Sequence, residues 1–342
     1  MGSVAKPRVV ALGEPIHMSK EYLADFSKEF NYSFLPATNR AETMKLLPED
    51  VAKNGPIDAF IIRMGTPPYE PFDKEWMSTL MPSCKVVTSA SAGYNEFPVE
   101  WLAEEGTWFC NSVDAVAEAT ADMAMFLTLA VLRNTSQAEK SFRDGKFRAT
   151  PGLSPARDPT GLTLGIVGMG AIGKYLAKKA LAFNMKIAYH NRHQLPAEEE
   201  AKYNATYYDS LPGLLGAADV VSINCPLNAK TTGLISDAEF AAMKDGVFFI
   251  NTARGAVVDE AALKKAIESG KVARAGLDVF CDEPKVDPWF FTCDQVIGQP
   301  HLGGLTDVAF RKAETECFEN VRAFFAKGRP NSPVVEINSK SS

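Results

Sequence analysis

The chain has no C-x-x-C pair and no cluster of histidines or cysteines at metal-ligand spacing. Its six cysteines (84, 110, 225, 281, 293, 317) and four histidines are scattered. That argues against a metal site and suits free thiols in a reducing compartment. No basic run is present either, and a net charge of −6 gives no support to nucleic-acid or anionic-membrane binding. Met1-Gly2-Ser3-Val4-Ala5-Lys6-Pro7 lacks the apolar core of a signal peptide, and Lys6 stands where a myristoylation site wants Ser or Thr. A cytoplasmic location is the expectation. The longest apolar stretch, Ala115 to Leu132, carries Glu118 and Asp122, so it reads as a buried or interface helix before a membrane span. There is no internal repeat and no long low-complexity tract. With 46% apolar and 23% charged residues over 342 positions, the chain is an ordinary globular sequence long enough for two domains.

What is present centres on Gly161 to Arg192. An apolar run, Leu162 to Val167, leads into Gly168-Met169-Gly170-Ala171-Ile172-Gly173, and a helix-forming run from Lys174 to Phe183 follows. Strand, tight turn and helix N-terminus in that order aim backbone N–H groups and the helix dipole at a pyrophosphate. A Gly-rich βα turn without a ligand is the alternative, and the flanking elements weigh against it. The next strand, Lys186 to Tyr189, ends in His190-Asn191-Arg192-His193. A ribose-binding acid normally sits about 20 residues beyond the glycines, and none is there. Asn191 is neutral, and Arg192, with His193 in support, can pair with a 2′-phosphate. NADPH is therefore the expected cofactor; NADH is the alternative if Arg192 points to solvent.

Strands and helices alternate along the whole chain. Arg8 to Leu12, Asp58 to Arg63 and Lys85 to Ser89 read as strands of a first α/β domain that has no phosphate-type glycine loop. Strands at 162–167, 186–189, 219–223 and 247–250, with helices at 172–183, 209–216 and 236–243, form a second, doubly wound sheet. Asp114 to Arg133 reads as a connecting helix. Asn134 to Pro159, broken by Pro151, Pro155 and Pro159, reads as an irregular crossing or subunit-contact arm. Thr306 to Lys327 is an amphipathic helix, capped by Thr306 and stopped by Gly328-Arg329-Pro330. If the nucleotide domain spans 113–308, this helix returns to the first domain, 1–112 with 309–342. The fold class is then α/β, two Rossmann-like doubly wound parallel-sheet domains separated by a cleft.

Three later segments deliver polar groups to strand ends. Arg254 follows the strand ending at Ile250, where a guanidinium holds a carboxylate in two-pronged fashion or makes a structural salt bridge. Asp278 lies within an apolar strand, and Glu283 lies in the turn beyond it. His301 follows Gln295 to Gly298 and precedes Gly303-Gly304. An imidazole beside a carboxylate and a carboxylate-binding arginine suits proton transfer coupled to hydride transfer at a 2-oxo acid. In the first domain, Ser89-Ala90-Ser91-Ala92-Gly93-Tyr94-Asn95 offers backbone N–H groups to an anion, or is an ordinary surface turn.

Four co-ordered motifs resemble the D-isomer-specific 2-hydroxyacid dehydrogenase family over nearly the whole chain. They are the glycine loop, Asn251-Thr252-Ala253-Arg254-Gly255, Gly276-Leu277-Asp278-Val279-Phe280 with Glu283-Pro284, and Pro300-His301-Leu302-Gly303-Gly304. The resemblance implies reversible reduction of a 2-oxo acid to the D-2-hydroxy acid. In it Arg254 binds the substrate carboxylate, His301 is the acid/base and Glu283 is its partner. It further implies cofactor contacts from Gly168, Met169, Gly170, Ala171, Ile172, Asn191, Arg192, Thr252, Ala253, Arg254 and His301, with Cys225-Pro226 near the adenosine and Asp278 near the nicotinamide amide. Met64, Gly65 and the Ser91-Ala92-Gly93 turn would meet the substrate, along with Arg254 and His301. Ser91 replaces a glycine of many members, and either narrows the backbone approach or adds a hydroxyl to the pocket. A homodimer through the 113–133 helix and the arm after it is implied as well. Formate dehydrogenase resembles the chain around Asn191-Arg192-His193 but carries a glutamine in the place of Glu283. A dinucleotide-sensing, co-repressor-like protein of the same fold is the alternative function, against which the acidic balance and lack of basic tails weigh.

Overall fold

The computed structural model describes residues 5–149, 153 and 156–337. It divides into two compact units, Met1–Val116 with Leu305–Ser342, and Ala117–Gly304.

The smaller unit carries a five-stranded sheet: β1 (Arg8–Leu12), β2 (Asn31–Leu35), β3 (Ala59–Ile62), β4 (Val86–Ser89) and β5 (Trp108–Cys110). The order is β2-β1-β3-β4-β5 and every pairing is parallel. β1, β3 and β4 are buried throughout, as their unbroken apolar runs require of central parallel strands. β2 (Asn31-Tyr32-Ser33-Phe34-Leu35) is an edge strand, mostly exposed, and lacks such a run. The sequence gives no warning of β2 or of the three-residue β5. Ser19 and Thr306 cap their helices by accepting the N–H of Tyr22 and Ala309. The last helix, Asp307–Lys327, ends on Gly328 at φ 74°.

The larger unit carries seven parallel strands. They are β6 (Thr163–Val167), β7 (Lys186–His190), β8 (Ala205–Tyr207), β9 (Val220–Ile223), β10 (Val247–Asn251), β11 (Val272–Leu277) and β12 (Val296–Gly298). Their order is β12-β11-β10-β9-β6-β7-β8, so the direction of winding reverses between β9 and β6. Consecutive side chains alternate between two cores. Ile187 and Tyr189 enter one with Leu164 and Ile166, while Ala188 enters the other with Val221 and Phe249. Each fully buried Leu, Ile or Phe of this kind contributes ~1.5–3 kcal/mol. All strands being parallel, the segments after Val167, His190, Ile223, Asn251, Leu277 and Gly298 leave from one edge.

Two expectations are corrected. The segment after Asn134 is not irregular throughout, because Thr135–Arg143 is a helix. Gln137, Ala138, Glu139 and Lys140 are good helix formers, and Asn134 in a left-handed conformation separates this helix from the one before it. Pro151 and Pro155 lie outside the described residues. Asp278 is not within its strand; β11 stops at Leu277, because the carboxylate is drawn to the loop after β12.

In the smaller unit the Glu316 carboxyl is pushed up to about 7, first by burial and then by the charge of Asp114, against the opposing pull of the Ala115 N–H. The folded value exceeds the ordinary one, so the folded chain holds this proton more tightly. The fold therefore loses stability as pH rises from the ordinary carboxyl range through about 7. Glu316→Gln keeps an acceptor for Ala115 and should raise the melting temperature by about 2–4 °C at alkaline pH. It should leave the melting temperature unchanged well below the ordinary carboxyl value, as read by calorimetry at both extremes.

Candidate active site

The glycine loop sits where β6 meets β9, the switch point at which open α/β sheets bind ligands. Gly168 has φ +97°, and a Cβ there would stand 2.8 Å from the Cys225 nitrogen, so the loop after β9 packs directly beneath it. Gly170, in contrast, faces open space, with nothing within 4 Å of an added Cβ. It is also the N-cap of helix Ala171–Ala182, and no side chain caps that helix. Free N–H groups, a dipole and room for approach fit a dinucleotide pyrophosphate. Two buried acceptors at the same edge, Thr252 Oγ1 and Asn224 Oδ1, have no hydrogen-bond partner among the described residues, which also fits a bound polar cofactor.

Asn191 does not hang free. Its Oδ1 accepts the Met169 N–H at 2.7 Å, tying the loop after β7 to the glycine loop. Arg192 and His193 are exposed and make no hydrogen bond or ion pair among the described residues. His190 is a local structural residue, its Nδ1 2.9 Å from the Tyr208 carbonyl.

Beyond β10, Asn251 folds the chain back on itself, accepting from the Ala253 N–H and donating to the Arg254 carbonyl, both at 3.0 Å. Arg254 leaves this turn half-buried, with one guanidinium nitrogen donating to the Ala253 carbonyl at 2.9 Å. A Cβ on Gly255 would overlap the carbonyl of Phe280 and the nitrogen of Cys281. Only glycine lets the turn that carries Arg254 lie against the turn that carries Glu283.

Glu283 and His301 meet, with Oε2 to Nδ1 at 2.7 Å. The other carboxylate oxygen accepts the Phe280 N–H at 2.8 Å. Burial works against the charged carboxylate, but the bonds from His301 and Phe280 and the charges of His301 and Arg254 outweigh it. The carboxyl is held below its ordinary range. Arg254 is thus within electrostatic reach of the pair. His301 itself has φ +57°, a left-handed conformation that costs a non-glycine residue ~1–2 kcal/mol. Asp278, 1% exposed, offsets that cost. Its two oxygens accept the N–H groups of Leu302 and Gly303 at 2.8 and 2.7 Å. Asp278 is therefore first an anchor of the histidine loop, a task that its place in the sequence does not reveal. Asn251 and Gly255 are likewise positioning residues visible beforehand only as parts of a motif.

In the smaller unit, Met64 is half-buried and Gly65 is exposed beyond β3. Ser91 follows β4. Its hydroxyl donates to the Gly93 carbonyl at 3.0 Å and lies 2.9 Å from Ser89 Oγ. That hydroxyl is engaged within its own turn. Asn111 holds the Ala92 carbonyl at 2.6 Å. No group of three or more His, Cys, Asp or Glu arranged to hold a metal occurs among the described residues.

An uncapped helix behind a glycine loop, with an imidazole–carboxylate pair on the same sheet edge, belongs to the dinucleotide-dependent oxidoreductases. Comparison narrows that class. Residues 125–303 match the family described as D-isomer specific 2-hydroxyacid dehydrogenase, NAD binding domain. The chain is 58% identical over 337 residues to dehydrogenase efuE of Hormonema carpetanum, across 98% of this chain and 84% of that one. A glyoxylate reductase from Paecilomyes thermophila has a TM-score of 0.89 at 35% identity, covering 98% of this chain and 100% of its own. The holo form of Rhodotorula graminis D-mandelate dehydrogenase has a TM-score of 0.90 at 33% identity, covering 98% and 99%. The chain belongs to the D-isomer-specific 2-hydroxyacid dehydrogenase family and is an NAD(P)-dependent oxidoreductase.

The two glycines separate structural from ligand roles. Gly255→Ala should lower the melting temperature by several degrees and cut turnover at least about tenfold, because the Glu283 turn must move. Gly170→Ala should leave the melting temperature unchanged and weaken dinucleotide binding, as read by fluorescence titration.

Proposed function

We propose that the chain reduces a 2-oxo acid to the D-2-hydroxy acid, with NADPH as preferred donor. The observation that carries the reading is the His301–Glu283 pair, with Arg254 close enough to stabilise the carboxylate. Gly168, Met169, Gly170, Ala171 and Ile172 would hold the pyrophosphate, Cys225 and Pro226 the adenosine, and Thr252, Ala253 and Asp278 the nicotinamide side. When bound, the dinucleotide supplies the hydride.

The remaining chemistry falls to side chains of this chain. The Arg254 guanidinium binds the oxo-acid carboxylate through paired N–H donors and draws electron density from the adjacent carbonyl. Glu283 takes up His301 Nδ1–H, which fixes the ring and leaves Nε2 as the proton-bearing atom. The 2.7 Å contact between Nδ1 and Glu283 Oε2 holds the ring in that orientation. Nε2 gives its proton to the carbonyl oxygen, and solvent restores it after turnover. Met64, Gly65 and the Ser91–Gly93 turn are assigned to the oxo acid, on the support of the glycine-rich, accessible backbone at those strand ends.

Oxidation of NADPH and of NADH should be followed with 2-oxo acids from glyoxylate and hydroxypyruvate to branched and aryl members. Absence of turnover on all of them would refute the activity. Glu283→Gln removes the carboxylate that takes up His301 Nδ1–H, and should lower kcat at least about tenfold while leaving NADPH binding near the parent value. An unchanged kcat would remove Glu283 from the proton transfer.

For the cofactor, the support is a neutral Asn191 beside an exposed Arg192 that has no partner among the described residues. Asn191→Asp retains an acceptor for the Met169 N–H, so the loop should stay in place while a negative charge faces the ribose. The ratio of kcat/KM for NADPH over NADH should fall at least about tenfold. A ratio that does not move would show that Asn191 plays no part in the choice.

A further inference from the structure

The loop that carries Arg192 and His193 is fastened on both sides of them by side chains of β7, β8 and helix Ala197–Tyr203. On one side, Tyr207 Oη donates to the Asn191 carbonyl at 3.2 Å. On the other, Tyr189, fully buried in β7, accepts the Leu195 N–H at 2.9 Å. The same hydroxyl donates to Glu200 Oε1 at 2.7 Å. Glu200 in turn receives the Gln194 side-chain amide on both oxygens at 3.1 Å. Burial, and then the Glu200 acceptor, push the Tyr189 phenol up to about 12, so it remains a donor throughout the working range. The two tyrosine rings pack at 5.3 Å. Glu199, the neighbouring acid, is drawn to Lys174 at 3.1 Å and to Lys202.

Residues 191, 194 and 195 are therefore tied down, while 192 and 193 between them have no partner among the described residues. A surface loop in which only the two cation-capable side chains are unengaged is preorganised for an anion, since little backbone order remains to be lost on binding. The acids of helix Ala197–Tyr203 would oppose a phosphate if they pointed at it. Of its three acids, Glu199 and Glu200 are each held by donors of their own, and Glu198 is exposed.

We propose that Tyr189, Tyr207 and Glu200 are positioning residues for the discrimination between NADPH and NADH, acting through the backbone of residues 191–195. This rests on the assignment of Asn191 and Arg192 to the 2′-phosphate end of the cofactor. The intact enzyme and its Tyr189→Phe, Glu200→Ala and Glu200→Gln variants should be titrated with NADPH, NADH and 2′,5′-ADP, with dissociation constants from calorimetry and KM and kcat alongside. Tyr189→Phe and Glu200→Ala should weaken NADPH and 2′,5′-ADP about tenfold. NADH affinity and kcat at saturating NADPH should stay within about twofold. Glu200→Gln keeps an acceptor for Tyr189 and should bind NADPH like the parent.

Equal weakening of both dinucleotides in Tyr189→Phe would overturn the proposal, because it would mark a general structural role. NADPH binding that is unchanged or tighter in Glu200→Ala would also overturn it, since Glu200 would then act only as a repelling charge or not at all. Should Tyr189→Phe not fold, Tyr207→Phe removes the single bond to Asn191 and must shift the same ratio in the same direction. A parent enzyme with no preference for NADPH defeats both this proposal and the cofactor assignment. A parent that prefers NADPH, with a ratio none of the variants moves, defeats this proposal alone.

Discussion

The carboxylate of Asp278 is the constraint on which the His301–Glu283 pair depends. It is almost wholly buried, and burial raises its carboxyl above the ordinary range despite two opposing backbone hydrogen bonds. Such a group is costly to place unless its acceptors are used. Here they are used on Leu302 and Gly303, the two residues after a histidine held at positive φ. The His301 loop is thus not a flexible excursion beyond β12. It is a strained turn whose strain is met by the residue just past a neighbouring strand, and the direction of the imidazole follows from that support.

A second layer of fixing operates through backbone proximity. Gly255 allows two turns, from β10 and from the end of β11, to approach more closely than any side chain would permit. Arg254 emerges from one turn and Glu283 from the other. The arginine charge consequently helps to keep the glutamate ionised, and an ionised glutamate is what a protonated histidine requires. Three chemically different residues become one electrostatic unit because their strands are parallel neighbours in the order β12-β11-β10.

Much of this was legible in the residues, and the illegible part has a common cause. Central strands announce themselves through continuous apolar runs, as Val9-Val10-Ala11 and Val220-Val221 do. Edge strands β2 and β8 do not, because half of each faces water and its pairing is decided by the neighbour. Helix Thr135–Arg143 was obscured by the prolines downstream, although its own residues favour a helix. Arg254, Glu283 and His301 could be singled out from their places after strands, whereas the work of Asp278, Asn251 and Gly255 could not. Hydrogen bonds that span 25 residues, as from Gly303 to Asp278, leave no local periodicity to read. Ser91 is a short-range case: its hydroxyl donates two residues away within its own turn, which the residue's identity alone does not announce.

Asn191 joins the structural and the cofactor arguments. Its side-chain oxygen is required by the Met169 N–H, and that demand would be met equally by an aspartate, which has the same reach and a stronger acceptor. The fold therefore exerts no preference for the amide over the acid at this position. The proposed NADPH reading supplies a reason for the neutral residue: an aspartate there would set a negative charge against a 2′-phosphate, and an asparagine does not. The need for an oxygen at position 191, to accept the Met169 N–H, is separable from any need for it to be uncharged, and on that reading only the second concerns the ligand.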